Sequence, residues 1–183
     1  MLELCTNQSL MDLMHRRKHL LESEARLLML EMVEGVRYLH ANNVIHRDLK
    51  LGNVFLDHGM HVKLGDFGLA AQLSHPAERK RTVCGTPNYI APEVLDNSPD
   101  GHSFEVDVWA LGVILFTLIS GKPPFQTKDV KATYGRIRRN EYAWPDGVGS
   151  PEARSLVAGM LASNPRDRPT LRELCMHPFF TSV

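Results

Sequence analysis

Apolar residues recur at helical spacing along much of this chain, and the places where that rhythm fails divide it into elements. The first four residues, Met1 to Leu4, read as a strand. Ser9 to about Lys18 reads as a short helix with Leu10, Leu13 and Met14 on one face. A longer helix is expected from about Ser23 to Ala41, with Leu28, Met29, Met32, Val33, Val36 and Leu39 on its stripe and Ser23 as N-cap. Asn42-Asn43 ends it. Two short apolar runs follow, Val44-Ile45 and Val54-Phe55-Leu56, and between them lies the polar stretch His46-Arg47-Asp48-Leu49-Lys50-Leu51-Gly52-Asn53. Asp57 to Met60 reads as a hairpin turn, with Val62-Lys63-Leu64 as the returning strand. From Gly65 to about Ser103 the periodicity fades, and a stretch that long in a compact domain marks a functional loop. Glu105 to Ser120 is apolar nearly all round, the signature of a buried central helix, and Gly121 suits its C-terminal cap. Helices are then expected near Asp129–Arg139, near Pro151–Ala162 and from Thr170. The pattern describes a mainly α domain with a small β-hairpin on one side.

Bulk properties narrow the partners more than the fold. The chain has 183 residues, 43% of them hydrophobic and 23% charged, which suits one globular domain. Its 21 basic and 21 acidic residues cancel, so no global field recruits nucleic acid or an anionic membrane. The three cysteines, Cys5, Cys84 and Cys175, form no C-x-x-C pair and read as free thiols of a reducing, intracellular compartment. No apolar run is long enough to cross a bilayer. An apolar, strand-like opening at Met1 suggests a start inside a folded domain, hence a fragment.

The chemistry concentrates in the polar stretch. Asp66-Phe67-Gly68 follows the returning strand, and Ala91-Pro92-Glu93 closes the irregular segment. With His46-Arg47-Asp48 and Asn53, these motifs in this order and spacing resemble the protein-kinase signature. The α+β kinase fold is implied, with this chain as a helical C-terminal lobe and the N-terminal β lobe missing. The physics of phosphoryl transfer agrees. Magnesium takes oxygen ligands, which Asn53 and Asp66 can supply. Asp48 can accept or align the proton of an acceptor hydroxyl, Lys50 can meet the phosphate, and Gly68 permits a sharp turn. A lysine at position 50 resembles serine/threonine kinases. The same resemblance implies a hinge at residues 3–5, where Glu3 and Cys5 bond the adenine of ATP, and Phe55 beneath the ring. It implies Asp107 anchoring His46 and Arg47, Glu93 paired with Arg168, Thr86 bonded to Asp48 and Lys50 in the substrate groove, and an activation segment over 66–93.

Finer detail points to a branch. Cys84 to Glu93, Gly101 to Asp107, Gly121-Lys122-Pro123-Pro124-Phe125, Phe55 after Leu51-Gly52-Asn53, and Glu78 to Thr82 together resemble the Polo-like kinases. That resemblance implies protein substrates, ATP and Mg2+ as cofactors, and a mitotic role. It also implies a place in the nucleus, cytoplasm, spindle pole or centrosome, and a Polo-box region elsewhere. Polo-like kinases favour an acidic residue before the acceptor; after the hinge cysteine, where several carry basic residues, this chain has Thr6-Asn7-Gln8. Thr82 is the candidate regulatory phosphosite, with Arg47 as partner of the phosphate and Arg79-Lys80-Arg81 readable by a basophilic upstream kinase.

Rival readings are weaker. No glycine-rich loop or strand lysine precedes the hinge, so half of the nucleotide site lies outside this sequence, and a non-catalytic interaction module is the alternative. His15 and His19 have zinc-site spacing, but three cations surround them and no third ligand is evident. Arg136, Arg138 and Arg139 lack the interleaved aromatics of a nucleic-acid face. Cys84 lies beside Gly85-Thr86, where oxidation could reach the groove, although an inert thiol is the simpler reading.

Overall fold

Ser9 begins the first helix by exchanging bonds with Asp12: the Ser9 hydroxyl accepts from the Asp12 amide at 3.3 Å, and Asp12 Oδ2 accepts from the Ser9 amide at 3.0 Å. α1 (Leu10–Arg17) buries Leu10 and Met14. This computed structural model describes residues 3–181. The expected opening strand lies partly outside them, at Met1 and Leu2, and Glu3 to Cys5 join no ladder. The pairing falls further on. Asn7 donates to the Leu56 carbonyl at 3.1 Å, Leu56 donates to the Gln8 carbonyl at 2.8 Å, and Ser9 bridges Phe55.

α2 (Glu22–Ala41) starts one residue before the expected Ser23, with Leu21 as its N-cap. The correction has a chemical reason: Glu24, not Ser23, satisfies the Leu21 amide at 2.9 Å, and the same carboxylate holds Arg17. The helix buries Ala25, Met29, Met32, Val33 and Val36. β1 (Val44–Ile45) and β2 (Val54–Leu56) flank the polar stretch, but they belong to different sheets. β2 pairs antiparallel with β3 (Val62–Leu64), Phe55 opposite Lys63. β1 pairs with β4 (Ala71–Gln72), a strand inside the segment that lacks periodicity. That segment also carries a single helical turn, α3 (Pro92–Leu95), and a backbone bridge between Lys80 and His102.

α4 (Glu105–Ser120) matches its expected span, is buried from Val106 to Ile119, and forms the axis of the molecule. Gly121 closes it at φ 84°, donating to the Thr117 carbonyl. α2 and α6 (Pro151–Met160) pack on either side, the latter so near that a Cβ on Gly112 would lie 2.8 Å from Met160 Cβ. α5 (Val130–Arg138) begins at an Asp129 cap and α6 at a Ser150 cap. The helix expected from Thr170 is two: α7 (Leu171–Cys175), capped by Thr170, and α8 (Pro178–Thr181). Pro178 has no amide hydrogen to continue α7 and so starts a new turn. Trp109, Phe125 and Phe179 are the largest fully buried side chains. The mainly helical architecture with a small β set is as the pattern described.

Candidate active site

The polar stretch is held from below by one carboxylate. Asp107, in the first turn of α4 and 1% exposed, accepts from the His46 amide at 3.0 Å and the Arg47 amide at 2.9 Å. His40, at the end of α2, joins Oδ2 of the same carboxylate through Nε2 at 2.9 Å. The Asp107 anchoring is thus present, and His40 is an addition. Its only sequence signal was a polar residue in the last turn of a helix leading into the stretch. With both amides fixed, Arg47 takes φ 66°, and its Nε donates to the Leu69 carbonyl at 2.7 Å. His46 Nε2 lies 3.1 Å from the Gly65 carbonyl.

The turn at Arg47 delivers Asp48 into a ring of donors. Lys50 Nζ reaches Oδ2 at 2.6 Å, Asn53 Nδ2 reaches it at 3.1 Å, and the Thr86 hydroxyl donates to Oδ1 at 2.7 Å. Lys50 also donates to Thr86 Oγ1 at 3.1 Å, so both expected Thr86 contacts are present. Burial by itself would raise the Asp48 carboxyl, but Lys50, Thr86 and Asn53 outweigh it and hold the group below its ordinary value of 3.8. Asp48 is therefore a carboxylate at neutral pH, aligned and able to accept a hydrogen bond.

Asn53 and Asp66 are brought side by side by the β2–β3 hairpin. The Gly65 amide donates to the Asn53 carbonyl at 2.9 Å, so Asp66 follows directly on the neighbour of Asn53. Asn53 bonds Asp48 twice through Nδ2, once to its main-chain carbonyl at 2.9 Å, and the amide oxygen takes no part in those bonds. Asp66 has φ 59°, is exposed, and accepts from Gly68 at 3.3 Å. Asp66 on the groove rim and Asn53, buried at the base of the same hairpin, offer a carboxylate and an amide oxygen, hard donors of the kind Mg2+ takes. Among the described residues no group of three His, Cys, Asp or Glu is placed to hold a metal ion.

A groove of about 1050 Å³ opens beside this rim, lined in part by Cys5, Phe55, Leu64, Asp66 and Phe67. Glu3 and Cys5 line it, and the Glu3 carboxylate also pairs with Lys63 at 3.2 Å. Phe55 lies against Gly65, where a Cβ would come 2.7 Å from Phe55 Cε2. The flat apolar floor and polar edge fit a purine.

A second groove, about 530 Å³, runs on from Lys50 and Thr86 between α1 and the end of α4. His15, Lys18, His19 and Lys122 line it and no carboxylate does, so the cluster that reads in sequence as a solvated basic face here borders the site. Arg138 and Arg139 are committed elsewhere, to Asp96 at 2.6 Å and Glu141 at 2.9 Å.

The far end of the segment is pinned by Glu93 and Arg168, a two-pronged pair at 2.7 and 2.8 Å whose side chains are 6% and 0% exposed. Thr82 is exposed, and Arg47, its expected partner once phosphorylated, rests on the Leu69 carbonyl. Cys84 is half-buried, and with Arg47, Asp48 and Thr86 it lines a small cavity.

A carboxylate set among lysine, threonine and asparagine, with an amide oxygen and a carboxylate flanking the next hairpin and an apolar groove beside it, defines a phosphotransferase site of the protein-kinase type. Residues 1–180 match the family described as "Protein kinase domain", and the chain belongs to that family. Within it the similarity is to Polo-like serine/threonine kinases. The chain is 53% identical to a probable serine/threonine-protein kinase PLK of Dictyostelium discoideum, covering 99% of this chain and 18% of that protein. It is 54% identical to serine/threonine-protein kinase PLK1 of Xenopus laevis over 99% of this chain and 30% of that one. Against serine/threonine-protein kinase polo of Drosophila melanogaster the identity is 50%, over 97% and 30%. The chain therefore spans less than a third of the length of these relatives.

Proposed function

We propose that these residues are the catalytic and substrate-facing part of a Polo-like kinase that phosphorylates Ser and Thr in proteins. The observation that carries the reading is the ionised Asp48 between Lys50, Thr86 and Asn53. Mg2+–ATP would supply the transferable γ-phosphoryl group and ADP as leaving group. Asn53 and Asp66 would hold the cation, and Phe55 with the edge at Glu3 and Cys5 would take the adenine. Asp48 aligns the acceptor hydroxyl and receives its proton as oxygen bonds to phosphorus and the bond to ADP breaks. Lys50 offsets charge on the migrating group. Replacing Asp48 by Asn in the full-length protein should cut kcat by about 10²–10⁴-fold while nucleotide affinity stays within about twofold. A variant that keeps wild-type kcat would overturn the assignment.

The basic groove supports acidic peptides as substrates, with His15, Lys18, His19 and Lys122 taking over from the Thr6-Asn7-Gln8 stretch. K18E/K122E should raise KM for a peptide with acidic residues before the acceptor and leave that of a neutral peptide unchanged. Phosphorylated Thr82 would draw Arg47 from Leu69 and order the segment. The Thr82→Ala form should then be much less active than phosphorylated protein. A cell-cycle role, with location at nucleus, cytoplasm, spindle pole or centrosome, follows the same resemblance and is checked by imaging the tagged protein.

A further inference from the structure

Thr82 follows directly on a short antiparallel contact. Lys80 and His102 exchange both of their backbone bonds, Lys80 N–H to the His102 carbonyl at 2.9 Å and His102 N–H to the Lys80 carbonyl at 2.8 Å. The basic side chains before Thr82 are engaged at the same time. Arg79 donates to Glu105 at 2.9 Å, Lys80 to Glu78 at 2.5 Å, and Arg81 to the Pro99 carbonyl at 2.9 Å. Glu78 is itself fixed by the Ser74 amide. The approach is close enough to need glycine: Gly101 has φ 68°, and a Cβ there would sit 2.7 Å from the Lys80 carbonyl. Thr82 and Val83 stay exposed.

An enzyme that recognises basic residues before its acceptor must bind those same guanidinium and ammonium groups, in a peptide extended away from its own surface. The two sets of partners exclude one another. We propose that residues 78–81 form a latch against residues 98–105 that withholds Arg79, Lys80 and Arg81 from a basophilic activating kinase, so that Thr82 is modified only when the latch opens. The inference rests on Thr82 being the acceptor. Its side-chain ties are partly exposed ion pairs and its backbone ties are two, so it can open without unfolding the domain.

The test compares phosphorylation rates at Thr82 by a kinase that requires arginine three residues before its acceptor. Its substrates are the full-length protein, a synthetic peptide of residues 76–88, and the full-length variants G101V and E105A. The peptide has no latch and should react on the order of tenfold faster than the protein. E105A should gain about two- to fivefold, and G101V more. Hydrogen exchange at the Lys80 and His102 amides should show protection in the wild type and its loss in the variants. Should G101V not fold, E105A carries the comparison. A peptide, protein and variants that react alike would overturn the latch and leave Thr82 as acceptor. A peptide that is not phosphorylated would instead remove the acceptor reading, and hydrogen exchange would then decide the latch: unprotected amides overturn it.

Discussion

Asp48 collects more of the site's physics than any other residue. It is 7% exposed, yet three neighbours outweigh the burial that would otherwise neutralise it. A carboxyl depressed in the fold stabilises above its unfolded value and loses that contribution as pH falls through the folded value. Removing the opposing groups should reverse the shift. In the K50M/T86V variant, burial acts nearly unopposed and the Asp48 carboxyl should titrate above 3.8, which carbon-detected NMR of the side chain would show. Asp107 does comparable work one layer below. Asp107→Ala would strand the His46 and Arg47 amides and release His40, at a cost of about 3 kcal/mol or more in urea unfolding. The chemical identities of these residues were legible in sequence because they stand in motifs. His40 was not, since only the approach of α2 to α4 places it on Asp107.

At the scale of elements, periodicity served where partners are local. α4 was readable end to end because an all-round apolar run can only be buried and a glycine C-cap signals within its own turn. The N-cap of α2 was misplaced by two residues because the acids of its first turn have partners that periodicity does not show. Glu22 reaches Ser150 at 2.6 Å, and Glu24 takes Leu21. In the segment from 65 to 103, β4 and the Lys80–His102 bridge have no periodicity to betray them, since their partners lie far off in the chain. Its far end hangs on the Glu93–Arg168 pair. Glu93→Ala leaves a buried guanidinium uncompensated and should cost about 3–5 kcal/mol. The doublet E93L/R168M should cost less than the sum of the single changes, which denaturation of all three variants measures.

For the whole molecule, charge and surface act together. The chain is neutral at pH 7, with a pI near 7.1 and nine histidines, while Leu4, Tyr38 and Phe67 stand 80%, 71% and 48% exposed around the larger groove. Self-association of these residues should therefore peak near the pI, where the net charge vanishes, and fall on either side of it. Light scattering against pH checks this, and scattering that is flat from pH 5.5 to 8.5 would contradict it. No helix among the described residues is long and apolar enough to cross a membrane. By itself the sequence determined the longer helical elements, the order of the motifs and the chemistry each could carry, because spacing and side-chain type are local properties. Only the tertiary structure decided which groups meet. It set Lys50, Thr86 and Asn53 around Asp48, joined His40 to Asp107, turned a basic helix face into the wall of a groove, and laid Arg79 to Arg81 against Pro99 to Glu105. Those contacts join residues far apart in the chain, and burial and hydrogen bonding choose among such pairs only once the core has closed.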